Sequence, residues 1–308
     1  MKRVLVTGAG GFVCSNIVFT LVDLGYQVIA VDRAFDPLVA EQFALRGVVV
    51  ITSDLNRLPT LDADFVIHGA AITADPAQGE TPEDHFRSNI LPALAMLDWA
   101  RDHAVQRLIF ISSSAVFRGS PAAVLTEDTP TTPNGLYAVE KHAIELLIQT
   151  LKQIYNRDVI AVRLGNIYGA NEFIRASRPH LSLVARLIRD ALTDGRVIVP
   201  NSIHPVDWTY AGDVGAALHA LLDAPVLPHA MYHVTSGSIL SASMIADELR
   251  ELFPDIKIAV ENASAAPFRG FMLPTRLKAD TDFDAWTDFR SGLLKTVLWF
   301  TPQLEASL

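Results

Sequence analysis

The chain has 308 residues, half of them hydrophobic, and its 25 Lys and Arg against 34 Asp and Glu give a net charge of -9. This length suits one large α/β domain or a domain with an appendage, and the negative charge argues against nucleic acid and anionic membranes as partners. The single cysteine, Cys14, excludes an internal disulfide and fits a reducing compartment. No apolar run approaches the ~18–20 residues of a membrane span, and the residues after Met1 do not resemble a signal peptide. Together these features predict a cytoplasmic protein.

The first half of the chain alternates predicted strands and helices. A helix is predicted over residues 12–24, closed by Gly25. Strands are predicted at residues 4–7, 28–31, 48–52, 65–68, 108–112 and 159–164. These strands are continuously apolar, as expected when helices cover both faces of a sheet. The pattern therefore predicts an α/β fold of the Rossmann type, with a doubly wound parallel sheet.

The rhythm changes after Gly169. Residues 171–180 are polar and rich in arginine. Helices are predicted at residues 181–192, 214–222 and 241–252, and short strands at 197–199, 208–210 and 256–260. Ser241 is the expected N-cap of the last helix. Residues 1–169 are thus predicted to form the Rossmann domain, and residues 170–308 mostly a small α/β substrate lobe interleaved with it.

A glycine-rich turn joins the first predicted strand to the first predicted helix. Backbone N–H groups at such a helix N-terminus bind the pyrophosphate of a dinucleotide. The residues predicted to do so are Gly8, Gly10, Gly11, Phe12 and Val13. Asp32 ends the second strand, where an acid accepts hydrogen bonds from the adenosine ribose and repels a 2′-phosphate. Arg33 would favour a 2′-phosphate, but Asp32 is given more weight, so NAD rather than NADP is the predicted cofactor. No metal site is predicted.

Tyr137 and Lys141 are four residues apart, on one face of a predicted helix. A free phenol has a pKa near ~10, and a nearby ammonium favours the phenolate. The pair is therefore a candidate general acid/base for an alcohol.

With these features the chain resembles the extended short-chain dehydrogenase/reductase family, often called the NAD-dependent epimerase/dehydratase family. Gly8 and Gly11 fit its glycine pattern, whereas Cys14 replaces the third glycine. Other matching segments are Asp54-Leu55, His68 to Ala71, Asn89, residues 111–117, residues 163–169 and residues 207–214. Pro92 stands where the family has a glycine and should kink its helix.

The resemblance implies a shared first chemical step. Tyr137 takes the proton of a substrate hydroxyl, Ser113 hydrogen-bonds that hydroxyl, and the carbon's hydride passes to the nicotinamide. Lys141 lowers the pKa of Tyr137 and binds the nicotinamide ribose. The resemblance also adds Asp54, Leu55, His68, Ala70 and Ala71 to the cofactor-binding residues, and it places Tyr137 and Lys141 among them as well.

Three readings of the activity remain open. Dehydration is disfavoured because Ser114 and Ala115 stand where a dehydratase has its acid pair, and the Glu of the decarboxylating branch is missing. Net dehydrogenation at a secondary alcohol and epimerisation through a ketone use the same three residues, so the motif cannot separate them. A non-catalytic NAD-binding regulator is the third reading, although it would be expected to lack Tyr137 or Lys141.

The predicted substrate is a sugar, sugar acid or related small polyol. Val206 stands where nucleotide-sugar enzymes usually carry a diphosphate-binding Arg. Arg175 and Arg178, with His180 close behind, either bind a carboxylate or phosphate or are solvated surface charges. The predicted substrate-binding residues are Ser114, Asn166, Arg175 and Arg178.

A homodimer is also predicted. Two predicted helices carry apolar residues, and in related proteins these helices pair across a twofold axis. Some of the apolar residues must face the sheet instead. They are Leu94, Leu97, Leu146, Leu147 and Leu151.

Overall fold

The computed structural model describes residues 1–73, 81–155, 157–175, 177–200, 204–261 and 270–305. Ala176, inside the predicted arginine cluster, lies outside these ranges. The strands are β1 Arg3–Thr7, β2 Gln27–Asp32, β3 Val49–Thr52, β4 Phe65–His68, β5 Arg107–Ser113, β6 Val124–Leu125, β7 Val159–Leu164, β8 Asn166–Tyr168, β9 Arg196–Val199, β10 Val206–Tyr210, β11 Met231–Val234, β12 Ser238–Leu240, β13 Lys257–Val260 and β14 Phe271–Met272.

The helices flank these strands in sequence. They are α1 Phe12–Asp23, α2 Pro37–Leu45, α3 Pro82–Asp102, α4 Leu136–Tyr155, α5 Leu183–Asp194, α6 Ala211–Asp223, α7 Ala242–Leu252, α8 Thr275–Thr281 and α9 Phe289–Glu305. Short 3₁₀ helices occupy Leu55–Arg57 and Ser114–Phe117. In the described part of the chain, no helix is both long and apolar enough to cross a membrane.

The central sheet confirms the predicted fold class. Within the described ranges it has seven strands in the order β11-β7-β5-β4-β1-β2-β3, and every pairing is parallel. The connections run outward in both directions from β1, so β1 and β4 flank the point where the strand order reverses. Ligands of open α/β sheets bind at the carboxyl ends of the strands at this point.

Helices cover both faces of the sheet. Successive residues of a strand face opposite sides, so neighbouring residues of one strand are buried under different helices. Val4 and Val6 of β1 pack in the core beneath α1 and α6. Leu5, between them, packs in the core beneath α3 and α4. Buried apolar residues on both sides explain why the strands are continuously hydrophobic.

A second core lies in the C-terminal half. Helices α5, α7 and α9 pack there with β9, through buried residues such as Leu187, Val197, Ile245 and Leu293. However, β11 comes from beyond residue 169 and joins the edge of the central sheet beside β7. The division at residue 169 stays a prediction, and β11 is a strand that the sequence analysis missed.

Local signals set most helix boundaries. Gly25 has φ +87°, a left-handed conformation that glycine adopts without strain, and follows α1 as expected. Ser241 accepts a hydrogen bond from Met244 N and caps α7 as predicted. Ser182 caps α5 in the same way, so that helix begins at Leu183 rather than at residue 181. Helix α3 runs through Pro92 without a break.

Candidate functional site

A cavity of about 410 Å³ opens at the carboxyl ends of β1, β4, β5 and β7. The last residue of β5, Ser113, lines it together with residues that directly follow the other three strands, Gly8, Gly69 and Gly165. Tyr137 and Lys141 reach it from α4. The cavity therefore brings the glycine-rich turn and the candidate acid/base pair to one place, at the position where the strand order predicts a ligand.

The glycine-rich turn leaves no room for side chains where the chain passes close to its neighbours. Gly8 has φ +71°, and a Cβ built there would lie 2.6 Å from Ala70 N. A Cβ on Gly10 would overlap Ala34 O. Phe12 is the first residue of α1, so N–H groups of its first turn have no partner within the helix. Phe12 and Val13 line the cavity, so this helix end fits the pyrophosphate of a dinucleotide.

Asp32, at the end of β2, is hydrogen-bonded to the same turn. Its Oδ2 accepts from Gly10 N at 2.9 Å, and its Oδ1 accepts from Arg33 N at 2.6 Å. Arg33 is exposed. Asp54 follows β3, which is parallel to β2, so it lies at the same edge of the sheet as Asp32. Leu55 packs partly against the core beneath α3. These residues fit the adenosine half of a dinucleotide that extends from the turn.

Asp32→Asn is expected to narrow the preference for NAD over NADP by about tenfold, because the side chain no longer repels a 2′-phosphate. The amide oxygen can still accept from Gly10 N, and only the bond from Arg33 N is lost. Calorimetric titration with both dinucleotides measures this preference. Arg33→Gln removes the neighbouring cation and should leave NAD affinity unchanged. Tighter binding of NADP than of NAD by the unsubstituted protein would contradict the prediction and make Arg33 the deciding residue.

Cys14 fills the position of the family's third glycine. Its side chain is buried, and burial raises the pKa of the thiol to about 12, so it packs as a neutral, small apolar group. A Cβ built on Gly69 would overlap Cys14 Sγ. The absence of a side chain at Gly69 therefore makes room for the larger residue at position 14.

Gly69→Ala is expected to destabilise the protein by about 1–3 kcal/mol, the usual cost of overpacking. The double variant Cys14→Ala/Gly69→Ala should recover most of that loss, because the sulfur that the new methyl meets is gone. Urea denaturation of the four proteins of this mutant cycle measures the coupling between the two positions. Additive effects would show that the two side chains do not compete for one space.

The three predicted catalytic residues meet at the cavity. Ser113 neighbours the Tyr137 phenol and lowers its pKa, and Ser113 Oγ accepts from Ala115 N at 3.1 Å. Lys141 Nζ donates to Ile111 O at 2.8 Å and lies 5.6 Å from the centre of the Tyr137 ring. The arrangement places a hydroxyl, a phenol and an amine around one reaction volume.

The pKa of Tyr137 departs from the sequence-based expectation. Burial raises the pKa of the phenol and outweighs the lowering by the Ser113 hydrogen bond and the Arg178 charge. Burial also lowers the pKa of Lys141 to about 8. The expected lowering of the Tyr137 pKa by Lys141 is therefore not what the structure shows, since the amine lies beside the ring and is bonded to a backbone carbonyl.

A buried polar cluster supports the active-site helix, and sequence reasoning missed most of it. His85 Nδ1 lies 2.8 Å from Glu140 Oε2, and Asn89 Nδ2 donates to the same oxygen at 2.7 Å. Asn89 Oδ1 accepts from Ile72 N at 2.7 Å. Glu140 precedes Lys141 directly, so the cluster joins α3, α4 and the segment after β4. Asn89 was recognised from the resemblance, whereas His85 and Glu140 carry no motif.

A second buried pair fixes the end of β5. Arg163 donates to Glu145 through Nε at 2.9 Å and Nη2 at 2.8 Å. Ser112 Oγ donates to the same carboxylate at 2.6 Å. Ser112 is therefore structural, and it holds the strand whose next residue is Ser113.

The structure places two predicted site residues, Ser114 and His68, and the neighbouring His180 outside the lining of this cavity. Ser114 begins a 3₁₀ helix, is 3% exposed and is not among the residues that line the cavity. His68 is 1% exposed between Thr7 and Phe110, so its ring is part of the core and is not placed to bind a cofactor. Burial lowers the pKa of His68 to about 3, so the ring is neutral. His180 lines a separate, outer cavity and does not join the two arginines.

The remaining predicted residues border the cavity or its base. Ala71 lines it, and Ala70 lies directly under Gly8. Asn166, Arg175 and Arg178 also line it, as predicted for substrate-binding residues. Asn166 Nδ2 is already engaged, since it donates to Asp207 O at 3.0 Å.

The chain belongs to the NAD dependent epimerase/dehydratase family, whose model matches residues 4–234. This confirms the predicted family, the assignment as an enzyme and the predicted cofactor, NAD. The residues that the structure places at the glycine-rich turn fit that cofactor.

Curated relatives of two activities are similar to the chain. A UDP-glucose 4-epimerase of Corynebacterium glutamicum is 24% identical over 81% of this chain and 80% of its own length. A human dTDP-D-glucose 4,6-dehydratase is 24% identical over 97% of this chain and 90% of its own length. Among solved structures, MoeE5 in complex with UDP-glucose and NAD is 27% identical, with a TM-score of 0.82 over 98% of this chain and all of that one.

Proposed function

We propose that the cavity catalyses NAD-dependent hydride transfer at a secondary alcohol of a sugar, sugar acid or related small polyol. The observation that carries this proposal is the meeting of Ser113, Tyr137 and Lys141 with the glycine-rich turn in one cavity. An acid/base group and a dinucleotide site must adjoin for a carbon–hydrogen bond and an oxygen–hydrogen bond to break together.

Each residue has a defined part in this reaction. NAD, when bound, supplies the acceptor for the hydride. Tyr137 takes the hydroxyl proton, and Ser113, beside it in the cavity, orients the same hydroxyl. Lys141 holds the nicotinamide ribose through its ammonium, which Ile111 O already orients. Gly8, Gly11, Phe12 and Val13 bind the pyrophosphate at the start of α1.

Epimerisation of a nucleotide-sugar is the second candidate. The similarity to a UDP-glucose 4-epimerase and to MoeE5 bound to UDP-glucose and NAD favours it. In that reaction the same three residues serve twice, because the ketone is reduced again from its other face. Dehydration is less compatible with the site, because Ser114 and Ala115 are buried and neither side chain is an acid. A non-catalytic NAD-binding role is disfavoured by the complete Ser113–Tyr137–Lys141 set.

A substrate panel with two readouts separates these candidates. The panel contains sugar acids, neutral sugars and UDP-sugars, and the readouts are NADH absorbance and product stereochemistry. Net NADH formation supports dehydrogenation, whereas inverted stereochemistry without net NADH supports epimerisation. Binding of NAD without any turnover across the panel would count for a regulator.

We also propose a cytoplasmic homodimer that pairs through α3 and α4. Val139, Leu146 and Ile154 form an exposed apolar stripe on α4, at 49%, 51% and 69% exposure. Of the predicted interface residues, Leu94, Leu97 and Leu151 instead pack largely against the sheet. Leu146 therefore carries the proposed contact.

Leu146→Glu is expected to convert the dimer to a monomer, because a charge would be buried at the paired helices. Sedimentation at micromolar concentration gives the mass. Leu298→Glu, at a leucine of α9 that is also exposed, is the matched control and should remain dimeric. A monomeric unsubstituted protein would rule out the dimer.

A further inference from the structure

The segment before α5 brings two guanidinium groups into the catalytic cavity. This arginine segment comprises residues 171–175 and 177–182, and Arg175 and Arg178 both line the cavity. Arg175 N donates to Arg178 O at 3.0 Å, and Arg178 N donates to Arg175 O at 2.9 Å. The two arginines therefore share a backbone bridge that fixes them relative to each other.

Contacts on both sides hold the segment across the cleft. Asn16 of α1 donates through Nδ2 to Ala170 O at 2.8 Å. On the opposite side, Thr73 donates through N and through Oγ1 to Ser177 O, both at 3.1 Å. The segment is thus tied both to the helix of the glycine-rich turn and to the chain that follows β4.

Arg178 is positioned by a buried carboxylate. Its Nη2 donates to Glu172 Oε1 at 2.6 Å, and the Glu172 side chain is fully buried. Ser182 donates to the same carboxylate through N and Oγ, both at 2.7 Å. The guanidinium lies 5.3 Å from the centre of the Phe12 ring, at the start of α1. Arg178 is therefore held beside the phosphate-binding turn rather than extended into solvent.

The donors of both arginines are incompletely used. Arg175 Nη2 and Arg178 Nε are buried and have no hydrogen-bond partner among the described residues. A buried guanidinium N–H without an acceptor is unfavourable, so an acceptor from a ligand would be stabilising. Lys141, Arg175 and Arg178 line the cavity, whereas no Asp or Glu does so in the described part of the chain. The cavity is thus cationic in a chain whose net charge is -9.

We propose that Arg175 and Arg178 form a preorganised site for an anionic group, a phosphate or a carboxylate, inside the catalytic cavity. The anionic group belongs either to the pyrophosphate of the dinucleotide or to an acidic substrate. A site for an acidic substrate rests on the proposed function. Preorganisation matters because the side chains are already ordered, so little conformational entropy is lost on binding.

Charge-removing variants test the site by binding rather than by turnover. Arg175→Gln and Arg178→Gln are compared with Arg186→Gln, which alters an exposed arginine of α5 outside this cavity. Calorimetry measures NAD affinity, and ³¹P NMR measures binding of inorganic phosphate to the NAD-saturated protein. Loss of the anion contact should weaken the relevant affinity about tenfold or more.

Each outcome decides the proposal. Weaker NAD binding in the two variants, but not in Arg186→Gln, supports the site with the cofactor as its source. Unchanged NAD affinity with loss of phosphate binding supports it with the substrate as its source. Unchanged values in both measurements overturn it. If Arg178→Gln fails to fold because Glu172 is left unpaired, the test uses Arg175→Gln and Arg178→Lys. Arg178→Lys keeps the charge and should bind the anion with an affinity between those of the unsubstituted protein and Arg175→Gln. Absence of turnover on any substrate would refute the proposed function and leave the binding results intact.

Discussion

Tyr137→Phe is expected to lower turnover by about 10²–10⁴-fold, the usual contribution of a general acid/base, which corresponds to about 3–5 kcal/mol in the activation barrier. The phenyl ring of the variant keeps the contact with Lys141, but it cannot take a proton. Affinity for NAD should stay within about twofold, because no pyrophosphate contact is altered. Steady-state kinetics on an active member of the substrate panel and calorimetry with NAD measure the two effects.

The pH dependence of the same reaction gives an independent check. Burial raises the pKa of Tyr137, so at neutral pH the phenol is almost entirely protonated. Because only the ionised phenol accepts a proton, the rate of alcohol oxidation should rise with pH from neutral to about pH 8. Above that pH the rise should level off, because burial lowers the pKa of Lys141 to about 8 and the ammonium that holds the nicotinamide ribose is lost. Tyr26→Phe, which removes only a hydrogen bond to His219, is the matched control and should keep both the rate and the rise. Near-normal turnover in Tyr137→Phe would remove Tyr137 from the mechanism.

The sequence predicted those parts of the fold and site that depend on local chain geometry. The glycine-rich turn, Asp32 at the end of β2 and the Tyr137–Lys141 spacing each occupy a few consecutive residues, and a strand–turn–helix context fixes their positions. Buried parallel strands were predictable because both faces are apolar. Strand β11 was missed because its four residues include Tyr232 and His233, so it lacks the apolar run of the other strands.

Features that depend on distant contacts could not be predicted in the same way. His85 and Glu140 are 55 residues apart, and each alone looks like a charged residue on the outer face of a helix. Ser114 was predicted to bind the substrate, yet the chain turns into a 3₁₀ helix at that point and buries it. Arg175 and Arg178 line the cavity and their contact with a substrate stays a prediction, but their backbone bridge and the role of Glu172 appear only when the segment is folded.

The cluster around Glu140 should be the most sensitive structural element near the site. Its carboxylate is 4% exposed and His85 is 1% exposed, so neither group has water as an alternative partner. Glu140→Ala would remove the carboxylate partner of the buried His85 ring and an acceptor of the Asn89 amide, which keeps its bond to Ile72 O. Removing one member of such a buried pair costs about 3–5 kcal/mol, a large part of the ~5–15 kcal/mol that stabilises a folded protein.

Urea denaturation of Glu140→Ala is therefore expected to show a loss of about 3–5 kcal/mol in the free energy of unfolding. Glu83→Ala is the matched control, because Glu83 pairs with Arg87 on the exposed face of α3 and should contribute within about 0.5 kcal/mol. The double variant His85→Leu/Glu140→Leu should recover part of the loss, because two apolar side chains leave fewer polar groups unpaired. If Glu140→Ala is no less stable than Glu83→Ala, the cluster does not hold α3, α4 and Ile72 together. The alignment of Tyr137 and Lys141 would then depend on the packing of α4 against the sheet alone.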